Sequence, residues 1–190
     1  MQGRESSMPA IELWESFFDP AAIVAALGAS SIEGDVVEFG CGYGTFTVSF
    51  ARGTSGVLYA LDIDPAMVAA TAARAERAGA RNVVVEERDF VVEGSGRPKD
   101  SVGFAVLFNI LHIEEPAGLL NEARRVLRRG GRVGITHWIH DARTPRGPPL
   151  EMRPRPEQCV EWGRLAGLSP VWQGALPGAP WHFGLVLEKR

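Results

Sequence analysis

Residues 36–45 read Val36-Val37-Glu38-Phe39-Gly40-Cys41-Gly42-Tyr43-Gly44-Thr45. An apolar, β-rich run breaks into three alternating glycines and then into a helix-forming segment, and this constrains the fold more than any other stretch. Glycine allows positive φ and lets a ligand or another backbone come close where a side chain would collide. A strand that turns through glycines into a helix opens a βαβ unit. Its turn then lies at the carboxyl end of the strand, where open α/β sheets bind ligands. The spacing is G-x-G-x-G, with Thr45 in the place of the third glycine of the dinucleotide fingerprint. No Gly-Lys-Ser/Thr follows, so a phosphate-binding P-loop does not fit either.

The chain keeps alternating after this loop. Residues 57–61, 83–85, 104–108 and 132–138 read as strands, and 45–52, 65–78 and 116–129 as helices. In the last of these, Leu119, Leu120, Ala123, Val126 and Leu127 share a face, arginines gather at the end where the helix dipole favours cations, and Gly130-Gly131 predicts the stop. Such alternation makes a parallel sheet covered on both faces. Before it, Ile11, Trp14 and Phe18 have helical spacing within a predicted helix over 9–18, and Pro20 opens a helix over 21–27. After it come a proline- and arginine-rich surface loop over 141–156, a helix over 157–166, and two strands, 171–176 and 181–187, paired across Pro177-Gly178-Ala179-Pro180. The first eight residues are polar and read as frayed.

A chain of 190 residues suits one domain. Its expected layout is a single domain over 1–190, with N-terminal helices over 10–30 as a cover, a cofactor-binding core over 35–138, and a substrate-side loop, last helix and strand pair over 141–190. The apolar share of 45% is that of a folded protein, and a net charge of −3 argues against a protein that grips nucleic acid with its whole surface. No apolar run approaches the ~18 residues of a membrane span, and the N-terminus has no secretory h-region. Cys41 and Cys159 form no CxxC, which fits a reducing cytoplasm.

Two acids raise the information content of the glycine loop. Asp62 ends the second strand about 20 residues after Gly42, where a carboxylate can accept from ribose hydroxyls. Asp64 already serves as the helix N-cap before Pro65, so Asp62 is not needed for that. Asp89 ends the third strand beside Phe90, a pairing suited to an exocyclic amine and a ring.

With these in place the sequence resembles the class I S-adenosylmethionine-dependent methyltransferases. The matching residues are Glu38 to Gly44, Leu61-Asp62-Ile63-Asp64-Pro65-Ala66-Met67, Glu87-Arg88-Asp89-Phe90, Leu107-Phe108-Asn109-Ile110-Leu111-His112, and 123–131. The resemblance implies an α/β, Rossmann-like, seven-stranded, mostly parallel sheet with one antiparallel strand and helices on both faces. It implies S-adenosylmethionine as cofactor. By position, Gly40 and Gly42 would lie under the methionine part and Glu38 would orient that end. Asp62 would take the ribose, and Ile63 would pack on adenine. Asp89 and Phe90 would hold the adenine edge, while Phe108 and Asn109 would approach the methionine amine and the methyl. The chain departs from the family pattern at Gly103, often Asp, and at Arg129, often Pro.

Methyl transfer from a sulfonium needs a base only when the nucleophile must lose a proton. His112 and His137 are the candidates, one after the fourth strand and one at the end of the fifth, with His140 three residues on and His182 read as structural. Asn109 is not followed by Pro-Pro-aromatic, which disfavours a nucleic-acid base as acceptor, and no metal set is apparent. A small organic acceptor fits best. Trp14, Phe17, Phe18 and Trp138 are available to cover it, and Arg143, Arg146, Arg153 and Arg155 to pair with an anionic one. Two other readings share the same motifs: an S-adenosylmethionine-binding partner or regulatory protein without turnover, and a methyltransferase for protein or RNA.

Overall fold

A computed structural model describes residues 8–190. Of the eight N-terminal residues read as frayed, the first seven, on which the missing h-region also falls, lie outside the described residues. Seven strands form one sheet: β1 (Asp35–Phe39), β2 (Leu58–Asp62), β3 (Val83–Glu87), β4 (Val102–Phe108), β5 (Leu127–Trp138), β6 (Ser169–Ala175) and β7 (His182–Glu188). Their order is β3-β2-β1-β4-β5-β7-β6. The first five are parallel, and β7 runs antiparallel to both β5 and β6. The chain order reverses direction between β1 and β4, so the carboxyl ends of these neighbours frame a crevice at the topological switch point.

β4 is buried along its whole length, as a central parallel strand covered on both faces should be. Successive side chains alternate between two cores. Ala105 and Leu107 pack with Leu119, Leu120 and Ala123 of α6 (Pro116–Val126) and with Cys159 of α7 (Pro156–Leu165). Phe104, Val106 and Phe108 pack on the other face with Ile23 of α2 (Pro20–Ala26) and Phe50 of α3 (Thr47–Gly53). The remaining helices are α1 (Ile11–Glu15), α4 (Pro65–Arg77) and α5 (Phe90–Glu93).

Two boundaries differ from the sequence reading. The helix over 9–18 is only α1, Ile11–Glu15, because the chain must reach an extended Asp19 before Pro20. The helix over 116–129 ends at Val126. Leu127 already pairs with Val102, Gly130 and Gly131 bond to Lys189, and regular pairing resumes at Phe104 with Arg132. The two glycines therefore serve an irregularity inside β5 rather than a helix stop. Gly103 has its own reason: a Cβ there would lie 2.3 Å from the carbonyl oxygen of Glu33. The aspartate common in the family has no room at that position.

Candidate active site

The glycine loop leaves β1 and is pinned by three hydrogen bonds, one to β2 and two from α4. The amide of Gly42 donates to the Asp62 carboxylate at 2.9 Å. The hydroxyl of Thr71 on α4 donates to the Gly42 carbonyl at 2.8 Å, and Arg74 donates to the carbonyl of Tyr43 at 3.2 Å. The three glycines, all at positive φ, divide the work. A Cβ on Gly44 would press to within 3.1 Å of the Thr71 backbone, so this glycine lets the loop sit against α4. Gly40 and Gly42 instead line a cavity of about 320 Å³ outside the carboxyl ends of β1, β2, β4 and β5.

Asp62 is 7% exposed and reaches this cavity from the end of β2. Its two oxygens accept from the amides of Gly42 and Asp64, with the Ile63 amide a further backbone contact, and this leaves part of the carboxylate's accepting capacity for a ligand. Burial raises its pKa. Ile63 and Phe90 form the adjoining wall. At the end of β4, Asn109 takes the left-handed conformation, φ 53°, which asparagine tolerates better than most residues. Both polar atoms of its side chain are buried without a partner among the described residues, although the side chain lines the cavity. An orphaned amide is costly, about 1–3 kcal/mol per unsatisfied group, so this site is suited to a ligand with both donors and acceptors.

Phe108, Ile110 and His112 continue the lining, and Trp14, Phe46, Trp138 and the segment 146–149 close the far end. This far end stands on two anchors. Tyr43 donates to the carbonyl of Pro9 at 2.7 Å, and Arg74 pairs with Glu15, tying the N-terminal segment to the glycine loop and α4. Arg153, buried, donates to the carbonyls of Pro148, Ile139, Asp141 and Arg146 and to the Thr144 hydroxyl.

Of the residues expected at the site, Gly40, Gly42, Asp62, Ile63, Phe90, Phe108, Asn109 and His112 come together around the cavity. Three do not line it. Glu38 is 2% exposed and accepts from the Thr47 hydroxyl at 2.6 Å, locking β1 to α3, and burial pushes its pKa up to about 8. Asp89 follows β3 and caps α5 by accepting from the amide of Val92, so it sets Phe90 in place. His137 is fully buried, and its Nε2 lies 3.3 Å from Nδ1 of His112. His140 is exposed, and His182 is buried between Phe18 and Trp138 with its pKa lowered to about 3 by burial. Among the loop arginines, Arg143 pairs with Asp141, Arg155 stands at the N-cap of α7, Arg153 is structural, and Arg146 lines the cavity.

The sequence reading missed Cys41, Phe46, Ile110 and the backbone of 147–149. A residue between two cavity-facing glycines must itself line the cavity, so Cys41 was legible. Phe46 gave no signal beyond its place in an apolar helix start. Among the described residues no group of three His, Cys, Asp or Glu side chains is placed to hold a metal ion.

A seven-stranded sheet of this order, with a glycine loop after β1 and a buried carboxylate at the end of β2, defines a class I S-adenosylmethionine-dependent methyltransferase. The chain belongs to the methyltransferase domain family, which it matches over residues 36–131. It is 26% identical over 173 residues to aklanonic acid methyltransferase DauC of Streptomyces sp. (strain C5), covering 89% of this chain and 76% of that protein. Its fold is similar to that of a SAM-dependent methyltransferase from Aquifex aeolicus, with a TM-score of 0.78, 22% identity and 90% of each chain covered. Geranyl diphosphate methyltransferase, solved in complex with SAM, aligns with a TM-score of 0.74 at 14% identity, covering 90% of this chain and 84% of that one. The residues present fit the cofactor: the cavity offers carboxylate lone pairs at Asp62, an unpartnered amide at Asn109, and a floor without side chains at Gly40 and Gly42.

Proposed function

We propose that this enzyme transfers the methyl group of S-adenosylmethionine to a small organic acceptor bound at the far end of the cavity. The observation that carries this reading is the composition of that end. Trp14, Phe46, Phe108 and Trp138 offer flat apolar surface, backbone and proline at 147–149 close the wall, and polar groups are few. A small-molecule acceptor is also what the name of the relative from Streptomyces implies.

When bound, S-adenosylmethionine supplies a methyl group on a positively charged sulfur, an electrophile that needs no further activation. The chain's own residues then position and exclude water. Gly40 and Gly42 hold the methionine part, Asp62 accepts from the ribose, Ile63 and Phe90 face the adenine, and Phe108 and Asn109 stand near the methionine amine and the methyl. Glu38 and Asp89 act one step back, by fixing α3 and α5. The single domain divides accordingly into a core over 35–138 that holds the cofactor and flanking segments that cover the acceptor. Among the described residues no helix is long and apolar enough to cross a membrane. The separate, buried Cys41 and Cys159 suit the cytoplasm.

The test is to incubate the enzyme with methyl-labelled S-adenosylmethionine and a whole-cell extract, then separate small molecules from protein and RNA. Label in the small-molecule fraction is the expected result, and label only in protein or RNA contradicts the reading.

A further inference from the structure

His112 and His137 come from the ends of different strands and meet at 3.3 Å through Nδ1 of the first and Nε2 of the second. The next link runs inward: Nδ1 of His137 lies 3.4 Å from the carbonyl oxygen of Trp138. A carbonyl only accepts, so Nδ1 of His137 carries the proton of that contact. His137 is fully buried, a place that disfavours an imidazolium, and its pKa is held well below the ordinary value by burial, with His112, His182 and Arg153 adding repulsion. The ring is therefore neutral with a bare Nε2. Only one arrangement of His112 suits a bare Nε2: its Nδ1 must donate. That leaves Nε2 of His112 as a lone pair, on a side chain that lines the cavity beside Asn109 and Trp138. Burial also lowers the pKa of His112, so this lone pair is free at neutral pH.

We propose that the Trp138 carbonyl and His137 fix His112 in the tautomer whose Nε2 accepts a proton from the methyl acceptor, so that the acceptor is one that must lose a proton, and that it is a hydroxyl compound, an alcohol, phenol or enol. His112 is the catalytic base and His137 a positioning residue. The step balances as follows. An electron pair of the acceptor oxygen forms the new bond to the methyl carbon, and the carbon–sulfur bond breaks with its pair going to sulfur, which becomes neutral. The hydroxyl proton passes to Nε2 of His112, and the imidazolium so formed releases it to solvent after product leaves. A thioether, a tertiary amine or a carboxylate brings no such proton at neutral pH and has no use for the relay.

The assignment of hydroxyl class rests on the small-molecule reading above, whereas the tautomer does not. Long-range nitrogen–proton correlation NMR on the free enzyme at pH 7 should show both His112 and His137 neutral and protonated on Nδ1. A proton on Nε2 of His112, or a mixture of tautomers, overturns the proposal without any variant being made. In His137→Leu the fixed tautomer of His112 should be lost. With the hydroxyl acceptor recovered from the labelled fraction, kcat should then fall by about 10-fold or more at unchanged KM for S-adenosylmethionine. His137→Gln, whose amide oxygen can accept from Nδ1, should restore both signal and rate. Equal losses in the two variants overturn the positioning role. His112→Ala should lose about 100-fold or more in kcat and bind S-adenosylhomocysteine as the wild type does. A labelled product methylated on carbon, nitrogen, sulfur or a carboxylate overturns the hydroxyl class while leaving the small-molecule reading intact. Label confined to polymer removes that reading but not the tautomer.

Discussion

On one side of the cavity, Gly40, Asp62 and Asn109 sit at the ends of β1, β2 and β4, adjacent strands at the centre of a seven-stranded sheet. On the other side, Trp14, Arg146 and Pro148 come from segments outside the sheet. The strand-end half is held by backbone pairing and by direct bonds such as Gly42 to Asp62. The flanking half is held by side chains: Tyr43 on Pro9, Arg74 on Glu15, Arg153 inside its own loop, and the rings of Phe17 on Trp138 and Phe18 on Phe46. The difference teaches where specificity can change. The strand-end half recognises a constant cofactor and cannot move without disturbing the sheet, whereas the flanking half can be rebuilt for another acceptor.

The comparison can be broken first at its foundation. Glu38 lies beneath the strand-end half with its pKa raised to about 8 by burial. A carboxyl whose pKa is raised in the folded state contributes stability below its unfolded value near 4.5, and loses it as pH rises towards the folded value. Glu38→Gln keeps an oxygen for Thr47 and removes the titration. Its melting temperature should match wild type near pH 5 and exceed it at pH 8, by up to about 4 kcal/mol in stability. Thermal melts across that range check this.

Gly42→Val should come next. It combines a branched residue at φ 54° with a side chain projecting toward Met8 at the cavity wall. S-adenosylhomocysteine affinity should fall by more than about 100-fold, near 3 kcal/mol, in calorimetric titration. Asp62→Asn should weaken the same binding by about 1.5–3 kcal/mol, the scale of hydrogen bonds to a charged group, and leave the circular dichroism of the fold unchanged.

The flanking half should respond differently. Arg153→Lys cannot reach the five loop oxygens that the guanidinium serves. The wall at 146–149 then loosens. Acceptor KM should rise by about 10-fold, or ~1.4 kcal/mol, with S-adenosylhomocysteine affinity unchanged. Steady-state kinetics beside calorimetry separates the two.

The same division governs what the sequence revealed. Alternating strands and helices, the glycine loop, Asp62 and Asn109 were legible because each depends on local pattern at a strand end. Glu38, Asp89 and His137 were found as residues, but the direction each one faces is set by its partner: Thr47 on the following helix for Glu38, His112 from another strand end for His137, and the next turn at Val92 for Asp89, a local cap that the sequence does carry. Arg128 and Arg129 look helical by composition. They belong to β5 because Leu127 is captured by Val102, a contact no window around them contains. Arg153 reads as one of several loop arginines, and only the folded loop turns five oxygens toward it.

Hydrogen exchange with and without S-adenosylhomocysteine tests the two-sided construction most directly. In the free enzyme, β1, β2 and β4 should be strongly protected, while residues 8–18 and 141–153 exchange faster. Cofactor product should slow exchange in 8–18, through the glycine loop to which Tyr43 and Arg74 tie it. Residues 141–153 should become protected only when an acceptor is added as well, because proximal segments must then exclude water from the reacting methyl. Flanking segments as protected as the strands before any ligand is present would contradict the account, for the whole cavity would then be preformed.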